Sequence, residues 1–249
     1  MGFYALTALV NAITSSIFGI FVYFKNKKRG VNKTFALTCL VTAIWSYSYF
    51  VWQISATENT ALFWARALMA GAIFIPICYL HFTLELLNKT KEKKKLLIFG
   101  YIIFFFFFLA NFTSLLVKRV RPKLEFDFWP DAGILYHPFL LIWFFYAFYA
   151  VYLLWKDYSI SVGIKRSQIR YILIGIIIGY LGGATNYFLW YDIPIPPIGN
   201  WSVIFYLGAV AYAILKYRLM DIRVALGKVF IYLATFSSVF ALDSLIFLL

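Results

Sequence analysis

Charge is scarce in this chain. Only 13% of its 249 residues are Asp, Glu, Lys or Arg, and 63% are hydrophobic. A soluble domain of that length carries about 25% charge. So few charges cannot cover so much apolar surface in water, which leaves lipid as the solvent. Histidine and cysteine are scarcer still, at two each. Cys39 and Cys78 fall inside apolar runs without metal spacing and read as small hydrophobes. His81 and His137 do not supply the paired axial ligands of a buried haem. Missing too are an HExxH, a CxxC, a P-loop and a glycine-rich nucleotide fingerprint. The last long span lacks a central Lys, since Lys216 sits at its end, so retinal has no attachment point. No run of intramembrane carboxylates offers a proton relay. No catalytic residue, metal site or cofactor is therefore expected.

What is present is a series of apolar runs. A hydrocarbon core about 30 Å thick needs about 20 apolar residues in helix. Runs of that kind cover residues 3–24, 34–54, 61–87, 96–117, 139–155, 171–191 and 198–217. A further apolar run, residues 229–249, follows. The first run has no basic stretch before it and reads as an uncleaved span rather than a signal peptide.

The net charge is +13. Its placement argues against nucleic-acid binding, because the bases form short clusters between apolar runs instead of one continuous face. The odd-numbered connections hold every basic residue except Arg66 and the four of the fourth connection. The positive-inside rule puts those connections in the cytoplasm and the N-terminus outside. The fold class expected is an all-α membrane protein, a seven-helix transmembrane bundle with an additional C-terminal apolar helix. Residues 1–223 form the bundle, and residues 224–249 begin a further membrane region. The bilayer of the plasma (inner) membrane is the expected setting.

The fourth connection is the one substantial outer loop. Its Pro130, Asp131 and Gly133 suit turns, and its Trp129, Tyr136 and His137 suit an interfacial belt or a lid over the bundle. Span three carries Arg66, His81 and Glu85. Arg66 lies near the outer end, where it can snorkel to headgroups. His81 and Glu85 are four residues apart on one helix face and can bond each other as an inner polar latch. Pro76 sits mid-span and is expected to kink it. In span six Gly175, Gly179 and Gly183 recur every four residues, with Gly182 beside them, a small-residue face that admits a neighbouring backbone. Asn186 follows as an interhelical hydrogen bond or a ligand contact. Arg66, Trp129, Tyr136 and Asn186 are the candidate ligand contacts. The aromatic spans five and four (Phe104 to Phe108 in the latter) read as lipid-facing bulk, with an aromatic-lined pocket as the alternative.

These residues also carry a resemblance. Trp64, Arg66, Gly71, Phe74, Ile75, Pro76, His81 and Phe82 form W-x-R-x4-G-x2-F-I-P-x4-H-F. Arg166, Gln168 and Gly175 follow, then the turn at residues 194–199 and the exit from Lys216 through Tyr217, Arg218 and Asp221 to Ile222. Together they resemble the seven-transmembrane N-terminal sensor region of bacterial and archaeal histidine kinases. The resemblance implies a receptor input domain acting on a cytoplasmic kinase module, for a small-molecule or lipid signal, in a homodimer. No kinase fold lies within these residues, so the chain is expected to be the front part of a longer protein. A transporter or channel subunit is the alternative; it would want a polar path through the midplane and inverted repeats, and neither is evident.

Overall fold

The computed structural model describes residues 2–217. Arg218, Asp221 and the apolar segment 224–249 lie outside the described residues. The chain runs α1 (Phe3–Lys25), α2 (Gly30–Gln53), α3 (Glu58–Leu86) and α4 (Lys94–Ala110). A hairpin follows, β1 (Val117–Lys123) and β2 (Phe126–Ala132). Then come α5 (Tyr136–Ile160), α6 (Gly163–Ala184), the short α7 (Asn186–Trp190), a 3-10 turn (Ile198–Ser202) and α8 (Val203–Tyr217).

Among the described residues five helices are long and apolar enough to cross a membrane: α1, α2, α3, α5, and α6 continued through α7. α4 is apolar but shorter, at 17 residues, and α8 is described over 15 residues. The chain is a multi-pass membrane protein. Many large apolar side chains along its helices are exposed. Phe105 and Phe106 on α4 are more than half exposed while Phe104 and Phe107 are buried, so the phenylalanine run has a lipid face and a core face. Leu141, Phe145 and Phe148 give α5 the same kind of outward face.

α3 is the central helix. It is 72% buried across its most apolar stretch, against 39% for α5, because α2, α4, α5 and the hairpin all pack on it. Gly71 makes the α2 contact possible: a Cβ there would meet the Trp45 backbone nitrogen at 2.5 Å and the Val41 carbonyl at 2.7 Å. α3 starts on Thr57, whose hydroxyl accepts from the Thr60 amide, and runs as one helix through the buried Pro76.

Two features depart from the all-α expectation. The fourth apolar run does not reach Val117 as helix. Asn111 ends α4, its amide bonding the Phe107 carbonyl and its side chain donating to the Arg66 carbonyl at 2.7 Å. The fourth connection is not a set of turns but an antiparallel hairpin, paired Val117 with Ala132, Val120 with Pro130, Arg121 with Trp129 and Lys123 with Phe126. Bulges on either side of the Val120–Arg121 pair, and Pro122 with no amide to give, keep it short and twisted.

Candidate functional site

The hairpin packs across one end of the bundle, against α3 and α7. Trp129 on β2 is 1% exposed, edge-on to Trp52 of α2 at 4.9 Å and tilted on Phe126 at 4.7 Å. The Trp52 indole donates to the Phe128 carbonyl at 2.8 Å. Trp129 is thus a lid residue rather than part of an interfacial belt. Arg66 donates to the Val117 carbonyl at 3.4 Å, which ties α3 to the first residue of β1.

A charged latch fixes the other edge of the hairpin. Lys123, with its side chain only 4% exposed, reaches Asp131 at 2.8 Å and Asp192 at 3.0 Å, and donates to the Leu189 carbonyl at 2.7 Å. Arg121 bridges the same two carboxylates, at 2.9 Å and 2.7 Å, and Arg119 adds a third cation to Asp131 at 2.9 Å. Burial alone would raise the Asp131 carboxyl. The hydrogen bonds from Lys123, Arg121 and Arg119 outweigh that and hold it well below the usual carboxylate range. The Lys123 hydrogen bond lowers Asp192 as well. Asp192 sits at φ 57°, a left-handed conformation that Asp tolerates better than most residues.

Beneath the hairpin is a cavity of about 90 Å³. α2, α3, α5, α6, α7, α8 and β2 all contribute to its wall. A single water needs about 10–15 Å³ of such space, and an apolar cavity of roughly 150 Å³ takes up benzene. The space is smaller than that: it has room for a few waters, and for a molecule of benzene's size only after rearrangement. Its walls are mostly aromatic. Tyr136 stacks on Trp190 at 4.2 Å and 9°, and Trp143 meets Tyr180 and Tyr187 edge-on. No Asp, Glu, Lys, Arg or His among the described residues lines it.

The walls are also under-bonded. The hydroxyls of Tyr49, Tyr79, Tyr136, Tyr180 and Tyr206 are buried without a hydrogen-bond partner, as are the Trp129 indole nitrogen and Asn186 Oδ1. Each of these residues lines the cavity. A buried polar group left unpaired costs about 1–3 kcal/mol. Seven such groups belong to residues of the wall, but the atoms themselves are buried, and the surface that faces the space is largely apolar.

Of the four candidate ligand contacts, Trp129, Tyr136 and Asn186 meet at this cavity. Arg66 does not; it lies on a separate groove beside Asn59 and Asn111. Asn186 makes the expected bond between elements: its Nδ2 donates to Asn200 Oδ1 at 3.2 Å and to the Gly183 carbonyl at 3.0 Å. Asn11 of α1 donates to the Asn200 carbonyl at 3.3 Å, so three elements share one polar knot.

The glycine face of α6 differs from its expected register. A Cβ on Gly175 would meet the Ala209 Cβ at 2.5 Å, and one on Gly179 the Tyr206 Cβ at 3.2 Å. One on Gly182 would collide with Ser202 Oγ at 1.7 Å and the Gly199 carbonyl at 2.3 Å. A Cβ on Gly183 would meet nothing within 4 Å, and the residue lines the cavity. The tight face is Gly175, Gly179 and Gly182; Gly183 belongs to the cavity wall.

At the opposite, lysine-rich end, His81 shares a hydrogen bond with the Tyr101 hydroxyl of α4 at 2.9 Å, in place of the expected bond to Glu85. The Glu85 carboxylate lies over Gly30 of α2, where a Cβ would stand 2.0 Å from Oε2. Lys89 pairs with the buried Asp157 and ties the α3–α4 turn to α5. Among the described residues no cluster of His, Cys, Asp or Glu could hold a metal.

Residues 7–223 match the family model of the N-terminal 7TM region of histidine kinase. The chain belongs to that family. The match takes in α2 to α8 and most of α1, so the lidded cavity is part of the family region rather than an addition to it. No curated protein and no solved structure matches the chain. The family is a membrane sensor region, not a catalytic module.

Proposed function

We infer that this histidine-kinase 7TM region is a signal-sensing input domain whose stimulus acts at the lidded aromatic cavity. The single observation that carries this reading is an aromatic-walled cavity of about 90 Å³ beneath the hairpin, to which seven elements contribute. A purely structural core would be filled.

In this reading seven helices cross the plasma membrane with the N-terminus and hairpin outside. The lysine-rich turns, at the end of the bundle away from the hairpin, support that orientation. Residues 1–223 form the sensor and residues 224–249 begin a further membrane segment. The output module is a kinase domain lying elsewhere, and the working unit is a homodimer. A small molecule or lipid shifts the bundle between two packings by binding one better than the other. α6 and α8 both line the cavity and touch through Gly175 and Gly179, and Gly182 packs on the 3-10 turn that leads into α8, so occupancy reaches α8 directly. α8 then leads through Tyr217, Arg218 and Asp221 toward the cytoplasm. Pro76 in α3 supplies the second pivot.

The experiment is a chimera of residues 1–223 with a reporter kinase, carrying Gly179→Leu or Pro76→Ala. Altered phosphorylation with normal membrane insertion supports the reading. Unchanged output from both variants removes these pivots. Transport remains the rival class, and uptake of solute by liposomes holding the chain would favour it over sensing.

A further inference from the structure

A second space lies apart from the cavity, at the hairpin end of α3. It is a groove of about 330 Å³ between the first turns of α3 and the end of α4. We propose that this groove seats the phosphate headgroup of an anionic membrane phospholipid, such as phosphatidylglycerol, from the leaflet on the hairpin side. The proposal does not depend on the cavity being the sensory site.

Arg66 carries the argument. It lines the groove and is partly exposed. Its guanidinium makes one hydrogen bond within the protein, a long one of 3.4 Å to the Val117 carbonyl. Among the described residues no carboxylate pairs with it. Glu58, the nearest acid along the chain, lies about 12 Å away down the axis of α3 and is not in the groove wall. The Nε is enclosed, which leaves the two Nη groups to meet a partner from outside. A cation held among apolar side chains without a counter-ion is costly. In a bilayer the lipid phosphates supply that counter-ion. A guanidinium suits them, because its N–H fork takes two phosphate oxygens at once.

The rest of the groove favours a lipid over a free anion. Phe63 of α3 and Phe112 just past α4 both line it and are 64% and 65% exposed. An acyl chain laid on each ring buries that surface, whereas inorganic phosphate or a single carboxylate leaves both rings bare. The exposed Asn59 at the start of α3 adds an amide that can donate to a glycerol ester oxygen. Charge then selects the headgroup. Arg66 is the only ionisable residue among those lining the groove, and Lys118, exposed beside Val117, is a second cation close by. Phosphatidylethanolamine brings an ammonium that finds no carboxylate in this wall. A headgroup of net negative charge has no such cost. The lipid also rests on the side chain that ties α3 to the first residue of β1, so it bears on how the hairpin is held.

The test is photo-crosslinking of the full chain in lipid nanodiscs, with phosphatidylglycerol carrying a diazirine on its acyl chain near the glycerol. Peptide mapping compares label on residues 59–70 and 111–112 with label at the lysine-rich end, an internal control for folding and lipid loading. The groove should be labelled saturably in the parent chain. Arg66→Gln removes the charge and should cut groove labelling about tenfold, the worth of a charge-assisted hydrogen bond, with the lysine-rich end unchanged. Arg66→Lys keeps the charge but loses the fork, and should cut it about threefold. Unlabelled phosphatidylglycerol should displace the groove label; phosphatidylethanolamine, oleate and inorganic phosphate should not. The proposal is overturned if Arg66→Gln leaves groove labelling intact or if phosphatidylethanolamine competes as well as phosphatidylglycerol. Displacement by oleate or inorganic phosphate overturns it too, in favour of a fatty-acid or free-anion site. Should Arg66→Gln fail to insert, the competition on the parent chain decides.

Discussion

Gly182 and Gly183 are neighbours with opposite duties. On a helix of 3.6 residues per turn, a residue seven positions on returns to within about 20° of its start, while one eight positions on lies about 80° away. Gly182 therefore shares the face of Gly175, and Gly183 does not. A four-residue count along the sequence drifts off the face, which is why Gly183 was expected in the tight contact. The contrast gives a direct prediction. Gly182→Leu drives a side chain into Ser202 and the Gly199 carbonyl, and should destabilise the chain by roughly 1–3 kcal/mol, as overpacking does. Gly183→Leu meets open space and should leave stability near that of the parent. Thermal unfolding of both variants in the same detergent checks this. Equal losses would place Gly183 back in the packed face. At the other end of the chain's polar inventory, His81 was legible as a buried polar residue but not its partner. The helix spacing shows Glu85 one turn on, while Tyr101 comes from a different helix and becomes a neighbour only through packing.

Among the elements, the helices were legible and the hairpin was not. Apolar runs bounded by lysine clusters announce spans because lipid forces internal hydrogen bonding on every one of them. β1 reads V-K-R-V-R-P-K, with four charges and a proline, which argues for a loop. Its turn is Leu124 and Glu125, with Leu124 at φ 50°, where a hairpin normally shows Asn-Gly or Asp-Gly. The hairpin is held instead by tertiary contacts that no local pattern records: Trp129 beneath it, Arg66 at its start and the Asp131–Lys123–Asp192 latch at its side. The latch makes the lid testable. Asp131→Asn removes the carboxylate shared by three cations, and amide exchange across β1 and β2 should accelerate by about tenfold while α3 is unaffected. Unchanged exchange in the hairpin would mean that Trp129 packing alone holds the lid.

The latch also fixes a pH dependence. The Asp131 and Asp192 carboxyls lie below their usual value of about 4, so the stabilisation they supply is fully present above that value. It is lost only as pH falls through the lowered folded values. Hairpin protection, corrected for intrinsic exchange, should be flat from pH 8 to about 5 and decline in stronger acid. A step near neutrality would contradict this account of the latch.

For the whole molecule, orientation and signalling are the open questions that experiment decides. Cys39 and Cys78 are buried, so the chain starts with a low thiol background. Lys118→Cys in the hairpin and Lys91→Cys in the α3–α4 turn both place a thiol at an exposed position. In intact cells a membrane-impermeant maleimide should label residue 118 and spare residue 91 until the membrane is opened. The reverse pattern would invert the topology. The candidate site was half legible at this scale. Trp129, Tyr136 and Asn186 stood out as aromatics or an amide at the expected outer end, yet they are far apart in sequence and only the bundle brings them to one space. Tyr49 on α2 and Tyr206 on α8 went unremarked, because a tyrosine in an aromatic-rich span carries no local mark of facing a cavity.

The most direct test of the account is the phosphorylation rate of the reporter-kinase chimera with Gly183 intact and with Gly183→Leu, at matched insertion. Filling the cavity wall should move the basal rate severalfold in one direction and abolish the response to any added stimulus. An unchanged rate and an intact response would show that the cavity is not where the signal is read.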